Sequence, residues 1–144
     1  MRRAAGITHA DSMTVRSYFS FDRTRDLKDA GVKLLAGTDM PQAFVYPGFS
    51  LHDELGLLVE AGLTPLQSLQ TATVNPAQFL GIKDMGTIAP GTKANLVLLD
   101  ANPVEDIANT KRISAVIMRG TLYRRNQLDE LLNQSAQIAA SRTQ

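Results

Sequence analysis

Gly31-Val32-Lys33-Leu34-Leu35-Ala36-Gly37-Thr38-Asp39 decides how the rest of the chain is read. It is a short apolar run ended by a glycine, with a carboxylate on its final residue. A run of about 4–8 apolar residues is what a parallel sheet covered on both faces asks of a strand. Asp39 then projects from the carboxyl end of that strand, where α/β barrels carry their chemistry. Leu34, Leu35 and Ala36 are expected in the core, and Gly37 lets the backbone turn closely beneath the site. Two readings of Asp39 stand side by side here: a functional carboxylate, or a cap on the turn that follows the strand.

Working outward, Asp22-Arg23-Thr24-Arg25-Asp26-Leu27-Lys28-Asp29-Ala30-Gly31 predicts a short helix with Thr24 as N-cap and Gly31 as its stop. Helix followed by strand makes one αβ step. Residues 1–21 fit no single period, and His9 within them reads as an exposed side chain. Beyond Asp39, Met40-Pro41-Gln42-Ala43-Phe44-Val45-Tyr46-Pro47-Gly48-Phe49 is rich in proline and aromatics and predicts an ordered loop. Met40 and Tyr46 are its candidate substrate contacts; the competing reading makes its aromatics a lid over the core.

Ser50-Leu51-His52-Asp53-Glu54-Leu55-Gly56-Leu57-Leu58-Val59-Glu60-Ala61-Gly62 predicts a helix capped by Ser50, with Asp53 at the capping-box position and Gly62 as its end. Leu51, Leu55, Leu58 and Val59 share its apolar face. His52 lies in the first turn, facing what the loop encloses, as a substrate-binding group or as a solvated side chain. Thr64-Pro65-Leu66-Gln67 and Asn75-Pro76-Ala77-Gln78 each announce a further short helix by cap, proline and glutamine. Leu66, Leu69, Phe79 and Leu80 supply their apolar faces, and Gly81 stops the second. Helices this short depend on tertiary packing.

From about residue 81 the pattern turns extended. Pro90-Gly91 marks a turn, Leu96-Val97-Leu98-Leu99 a buried strand, and Arg119-Gly120 the bend of a hairpin between Ile113-Ser114-Ala115-Val116-Ile117-Met118 and Thr121-Leu122-Tyr123. Residues 126–141 form an amphipathic helix capped by Asn126, with Leu128, Leu131, Leu132, Ser135 and Ile138 along one stripe. The expected division is residues 1–80, 81–125 and 126–144.

The chain has 144 residues, 44% hydrophobic and 20% charged, with a formal net charge of +1 and no cysteine. That balance gives no electrostatic pull toward nucleic acid or an anionic membrane. Without cysteine there is neither a disulfide frame nor a thiolate metal site. No run of about 18 apolar residues occurs, residues 1–6 lack the apolar centre of a signal peptide, and the last helix has no cluster of Lys or Arg. The expectation is a cytoplasmic protein.

Several of these motifs, in this order, are specific. Gly37-Thr38-Asp39, the Pro-rich loop, Leu51-His52-x-Glu54-Leu55 with Glu60-Ala61-Gly62-Leu63-Thr64-Pro65, Ala72-Thr73-x-Asn75-Pro76-Ala77, and Gly86-Thr87-Ile88-Ala89-Pro90-Gly91 are the stretches concerned. Together, over residues 24–125, they resemble the C-terminal third of metal-dependent amidohydrolases, in the branch of imidazolonepropionase-like and Xaa-Pro dipeptidase-like enzymes. The resemblance implies an α/β fold in which residues 31–39 are the eighth strand of a (β/α)8 TIM-like barrel. Residues 96–100 and 116–120 then belong to a small β-sandwich. Asp39 matches the family's catalytic Asp, which binds a divalent metal, zinc foremost, and handles the proton of the attacking water. A metal lowers the pKa of its bound water to about 7, and a neighbouring carboxylate can take that proton and return it to the leaving nitrogen. The implied substrate is a small amide, lactam or dipeptide.

The chain departs from that family in what it lacks. The His-x-His pair, the carbamylated Lys or Glu and the two further His ligands are missing, the two histidines being His9 and His52. A full barrel needs about 250 residues. Asn95 also stands where relatives carry Asp. The resemblance therefore implies a C-terminal portion that is inactive and holds no metal stably on its own. The alternatives are a non-catalytic binding module, or a chain complementing a separate one that supplies the ligands. Open strand edges and uncovered helices imply a homo-oligomer, or docking against a missing N-terminal barrel segment.

Overall fold

The computed structural model describes residues 20–39 and 48–141; His9, Met40 and Tyr46 lie outside them. The elements in order are α1 (Phe21–Asp29), α2 (Ser50–Glu60), α3 (Pro65–Thr71), α4 (Val74–Phe79), β1 (Leu96–Leu99), a 3-10 turn (Ile107–Lys111), β2 (Ile113–Met118), β3 (Thr121–Arg124) and α5 (Arg125–Ser141). Between α1 and α2, residues 32–39 carry no helix and no ladder.

Helix ends follow the chemistry of their residues, with some departures from the sequence reading. At Thr64 the capping box is complete: Thr64 Oγ1 accepts from Gln67 N–H at 3.2 Å, and Thr64 N–H donates to Gln67 Oε1 at 2.9 Å. Helix α2 stops in a Schellman turn, with Gly62 at φ +107, its N–H donating to Val59 O and Leu63 N–H to Leu58 O. Helix α4 ends in the same way at Gly81, as expected.

Four expected caps are not caps. Thr24 lies inside α1, its hydroxyl donating to Ser20 O at 2.9 Å, because a threonine within a helix can satisfy itself on the preceding turn. Ser50 is the first residue of α2 and Phe49 holds the cap position. Asn75 lies inside α4, its side chain drawn away to Leu34 O at 2.9 Å. Helix α5 begins at Arg125 directly from β3, where Gln127 Oε1 accepts from Arg124 N–H at 2.9 Å in place of a cap by Asn126.

The three strands form one antiparallel sheet in the order β1-β2-β3. Met118 faces Thr121 across the hairpin, and Arg119 and Gly120 have φ of +52° and +82°. Two consecutive positive φ values are the type I′ geometry that matches strand twist. Asn95 Oδ1 accepts from Arg119 N–H at 2.8 Å, so this departure from the family pattern ties the start of β1 to the hairpin bend.

The core is a cluster of Leu55, Leu58, Leu63 and Ile107, with Leu34, Ala36, Val59, Leu69 and Ala72 packed against it. Fully burying a leucine contributes about 1.5–3 kcal/mol, so Leu55 and Leu58 anchor α2. Ile107 brings the 3-10 turn onto the helices. Other apolar expectations fail. Leu51, Leu66, Phe79 and Leu80 are exposed, and β1 is not buried: Val97 and Leu98 are 56% and 62% exposed. A lone sheet leaves one face to solvent, and no second sheet covers this one among the described residues. Leu131, Leu132 and Ile138 on the stripe of α5 are exposed as well.

Candidate functional site

The site is built where residues 32–39 cross the helices. The expected strand has no strand beside it among the described residues and forms no ladder, so helices satisfy its backbone instead. Leu34 O accepts from Asn75 Nδ2 at 2.9 Å, Ala36 N–H donates to Thr71 O at 3.0 Å, and Gly37 N–H donates to Glu54 Oε1 at 2.8 Å. Burial alternates along it. Leu34, Ala36 and Thr38 face the helices, whereas Val32, Leu35 and Asp39 face away. A strand covered on both faces was expected, and Leu35, placed in the core by that reading, is 41% exposed because one layer alone covers the segment among the described residues.

A buried polar relay stiffens the support. Ser68 and Thr71 are fully buried on α3; the Ser68 hydroxyl donates to Leu55 O at 2.8 Å and the Thr71 hydroxyl to Ser68 O at 2.6 Å. Because Thr71 O then accepts from Ala36, α2, α3 and the extended segment are joined in one hydrogen-bonded series. Small side chains at these two positions let the backbones approach this closely.

Asp39 closes the segment, exposed and at φ +51°. The left-handed region is uncommon for non-glycine residues, and Asp is among those that tolerate it. Glu54 reaches the same end of the segment from α2. Burial pushes its carboxyl pKa up, opposed in part by the bond from Gly37, and Oε2 is enclosed without a partner among the described residues.

His52 points elsewhere. Two residues apart on a helix are about 200° apart around the axis, so His52 and Glu54 leave α2 on different sides. The imidazole is half-buried with Nδ1 unpartnered among the described residues, and its pKa is lowered by burial first, then by Lys111, against a smaller upward pull from Asp53. Lys111 and Asp53 pair at 2.6 Å. No hydrogen bond among the described residues joins His52 to Asp39. The structure therefore links Asp39 with Glu54, through Gly37, and leaves His52 beside the 3-10 turn. Glu54 was given no role by the sequence reading, although a signal existed. It lies between Leu51, Leu55 and Leu58 on the apolar stripe, where a carboxylate is out of place.

Among the described residues no group of three His, Cys, Asp or Glu could hold a metal ion. A catalytic zinc takes about three protein ligands. These residues alone do not fit one. No helix among the described residues is long and apolar enough to cross a membrane.

Known proteins share this stretch of sequence and this fold. The imidazolonepropionase of Deinococcus deserti is 40% identical over 93 residues, which are 64% of this chain and 23% of that protein. The adenine deaminase of Ligilactobacillus salivarius is 35% identical over 75 residues, 52% of this chain and 13% of that one. In fold, a Xaa-Pro dipeptidase crystallised with methionine in its active site matches 80% of this chain and 33% of its own, with a TM-score of 0.66 and 28% identity. The chain thus spans a third or less of the length of these relatives. The sequence model of the Amidohydrolase family matches residues 19–123, and this chain belongs to that family.

Proposed function

We propose that this chain is the C-terminal portion of a hydrolase acting on a carbon–nitrogen bond of a small amide, lactam or dipeptide. In this reading residues 31–39 stand at the place of the last barrel strand, residues 1–80 belong to the barrel, residues 81–125 to a small sandwich and residues 126–144 to a terminal helix. The observation that carries it is Asp39: an exposed carboxylate at the carboxyl end of an extended segment anchored at three successive points, in a chain of the Amidohydrolase family. A carboxylate so presented can take a proton from attacking water and give it to the departing nitrogen. His52, Met40 and Tyr46 are assigned to the substrate side.

The divalent metal of the complete enzyme, zinc foremost, takes its remaining ligands from polypeptide other than the described residues. Unassisted hydrolysis by this chain is not expected. Dialysis against zinc followed by elemental analysis tests the ligand argument: the account expects less than one ion per chain, and one tightly held ion would refute it. A second reading, a module that complements another chain or binds a partner without catalysis, draws on the outward-facing Val32 and Leu35. Those side chains need an apolar cover that a barrel segment or a second copy would supply.

A further inference from the structure

We propose that Glu54 is the positioning residue for Asp39: its carboxylate grips the Gly37 N–H and so fixes the direction in which the chain delivers the Asp39 side chain two residues later. The inference rests on the reading of Asp39 as the reacting carboxylate. Its first support is the cost of Glu54. A carboxyl group enclosed on the apolar stripe of α2, with Oε2 unpartnered among the described residues, loses hydration that one hydrogen bond does not return. Stability alone favours an apolar side chain or an amide there, and local rules are broken in this way at functional sites.

The second support is where the bond falls. Leu34 and Ala36 already hold the segment, by packing in the core and by their bonds to Asn75 and Thr71. Gly37 has no such hold. Among the described residues nothing lies within 4 Å of where its Cβ would stand, so no side chain of theirs restrains the most permissive residue of the segment. Among the described residues the bond from Gly37 to Glu54 is the restraint at that point. Immediately beyond it Asp39 adopts φ +51°, and uncommon backbone conformations persist when their surroundings over-determine them.

The test uses the full chain, isotope-labelled, as wild type, E54Q, E54A, E54D and V59A. Exchange of the Gly37 amide and the Asp39 amide-to-Hα coupling are followed by NMR, with the melting temperature alongside. Gln keeps an acceptor at the same reach, so E54Q is expected to retain both signals. E54A and E54D, which lose the acceptor or shorten it by one methylene, are expected to lower Gly37 protection about tenfold. In both, the Asp39 coupling should move off its left-handed value. V59A removes core packing and is expected to lower the melting temperature while leaving both signals in place. Should E54A fail to fold, E54D against E54Q decides. Unchanged signals in the folded shortened variants, or equal loss in E54Q, would overturn the proposal. These readouts follow the backbone and not turnover, so their failure is distinct from that of the Asp39 reading, which falls if Asp39→Asn leaves hydrolysis by the assembled enzyme intact.

Discussion

Replacing Gly86 with alanine should unfold this chain far more readily than the same change a few residues on. Gly86 has φ +89°, and a Cβ there would stand 2.8 Å from Thr73 O, 2.9 Å from Ala77 Cβ and 3.1 Å from Val74 Cα. The backbone conformation costs an L-residue about 1–2 kcal/mol. Forcing a methyl group against a backbone carbonyl and a buried alanine adds about 1–3 kcal/mol, since neither neighbour is the free end of a flexible side chain. Together they amount to about 2–5 kcal/mol, against a total stability of about 5–15 kcal/mol for ordinary domains. Gly91 supplies the control: its φ is +87°, yet among the described residues nothing lies within 4 Å of its Cβ position. Gly91→Ala therefore carries the conformational cost alone, and the gain from a stiffer unfolded chain is common to both. Urea unfolding followed by circular dichroism should place G86A about 1–3 kcal/mol below G91A. If the two variants unfold together, the close docking of Gly86 on α4 is wrong.

Other consequences follow from single sites. Thr64→Ala removes the acceptor of the capping box and should cost about 0.5–2 kcal/mol in the same assay, with Thr64→Ser close to wild type. Glu54 and His52 make opposite contributions to the pH dependence of stability. The raised pKa of Glu54 stabilises the fold below its ordinary value of 4.5, and that stability is lost as pH rises through the folded value; E54Q should abolish the loss. The lowered pKa of His52 gives stability that is present above 6.5 and lost as pH falls through the folded value, so H52N should flatten that decline. NMR titration of His52 should move up in K111M and down in D53N, and no movement in either would remove the electrostatic account of its surroundings. Light scattering on the eluting protein should show self-association through the exposed Val32, Leu35, Leu131 and Leu132; a compact monomer at high concentration would contradict it.

How much was legible in the sequence depended on whether the deciding partner was local. The capping box at Thr64, the glycine stops at Gly62 and Gly81 and the bend at Arg119-Gly120 involve residues within six positions of one another, and all are present as read. The cap expected of Asn75 fails because Leu34, 41 positions away, competes for its side chain. The apolar run at 31–39 was read as a buried strand, and no strand forms there, because a ladder needs a neighbour that the described residues do not contain. That same absence exposes Leu35, Val97 and Leu98. At the site, the sequence singled out Asp39 from its place after the run. For Glu54 the sequence offered only a carboxylate out of place on an apolar stripe, because the fold alone shows that its helix lies alongside Gly37, 17 positions earlier.

The central claim, that Asp39 is the reacting carboxylate of an enzyme completed by other polypeptide, is tested most directly by joining the two. The C-terminal residues of the Deinococcus deserti imidazolonepropionase that correspond to this chain are replaced by it, and turnover of that enzyme's own substrate is measured with and without Asp39→Asn. The account predicts a working hybrid whose rate falls by about 10²-fold or more in the Asn variant. A folded Asn hybrid that turns over as fast as its parent would contradict it.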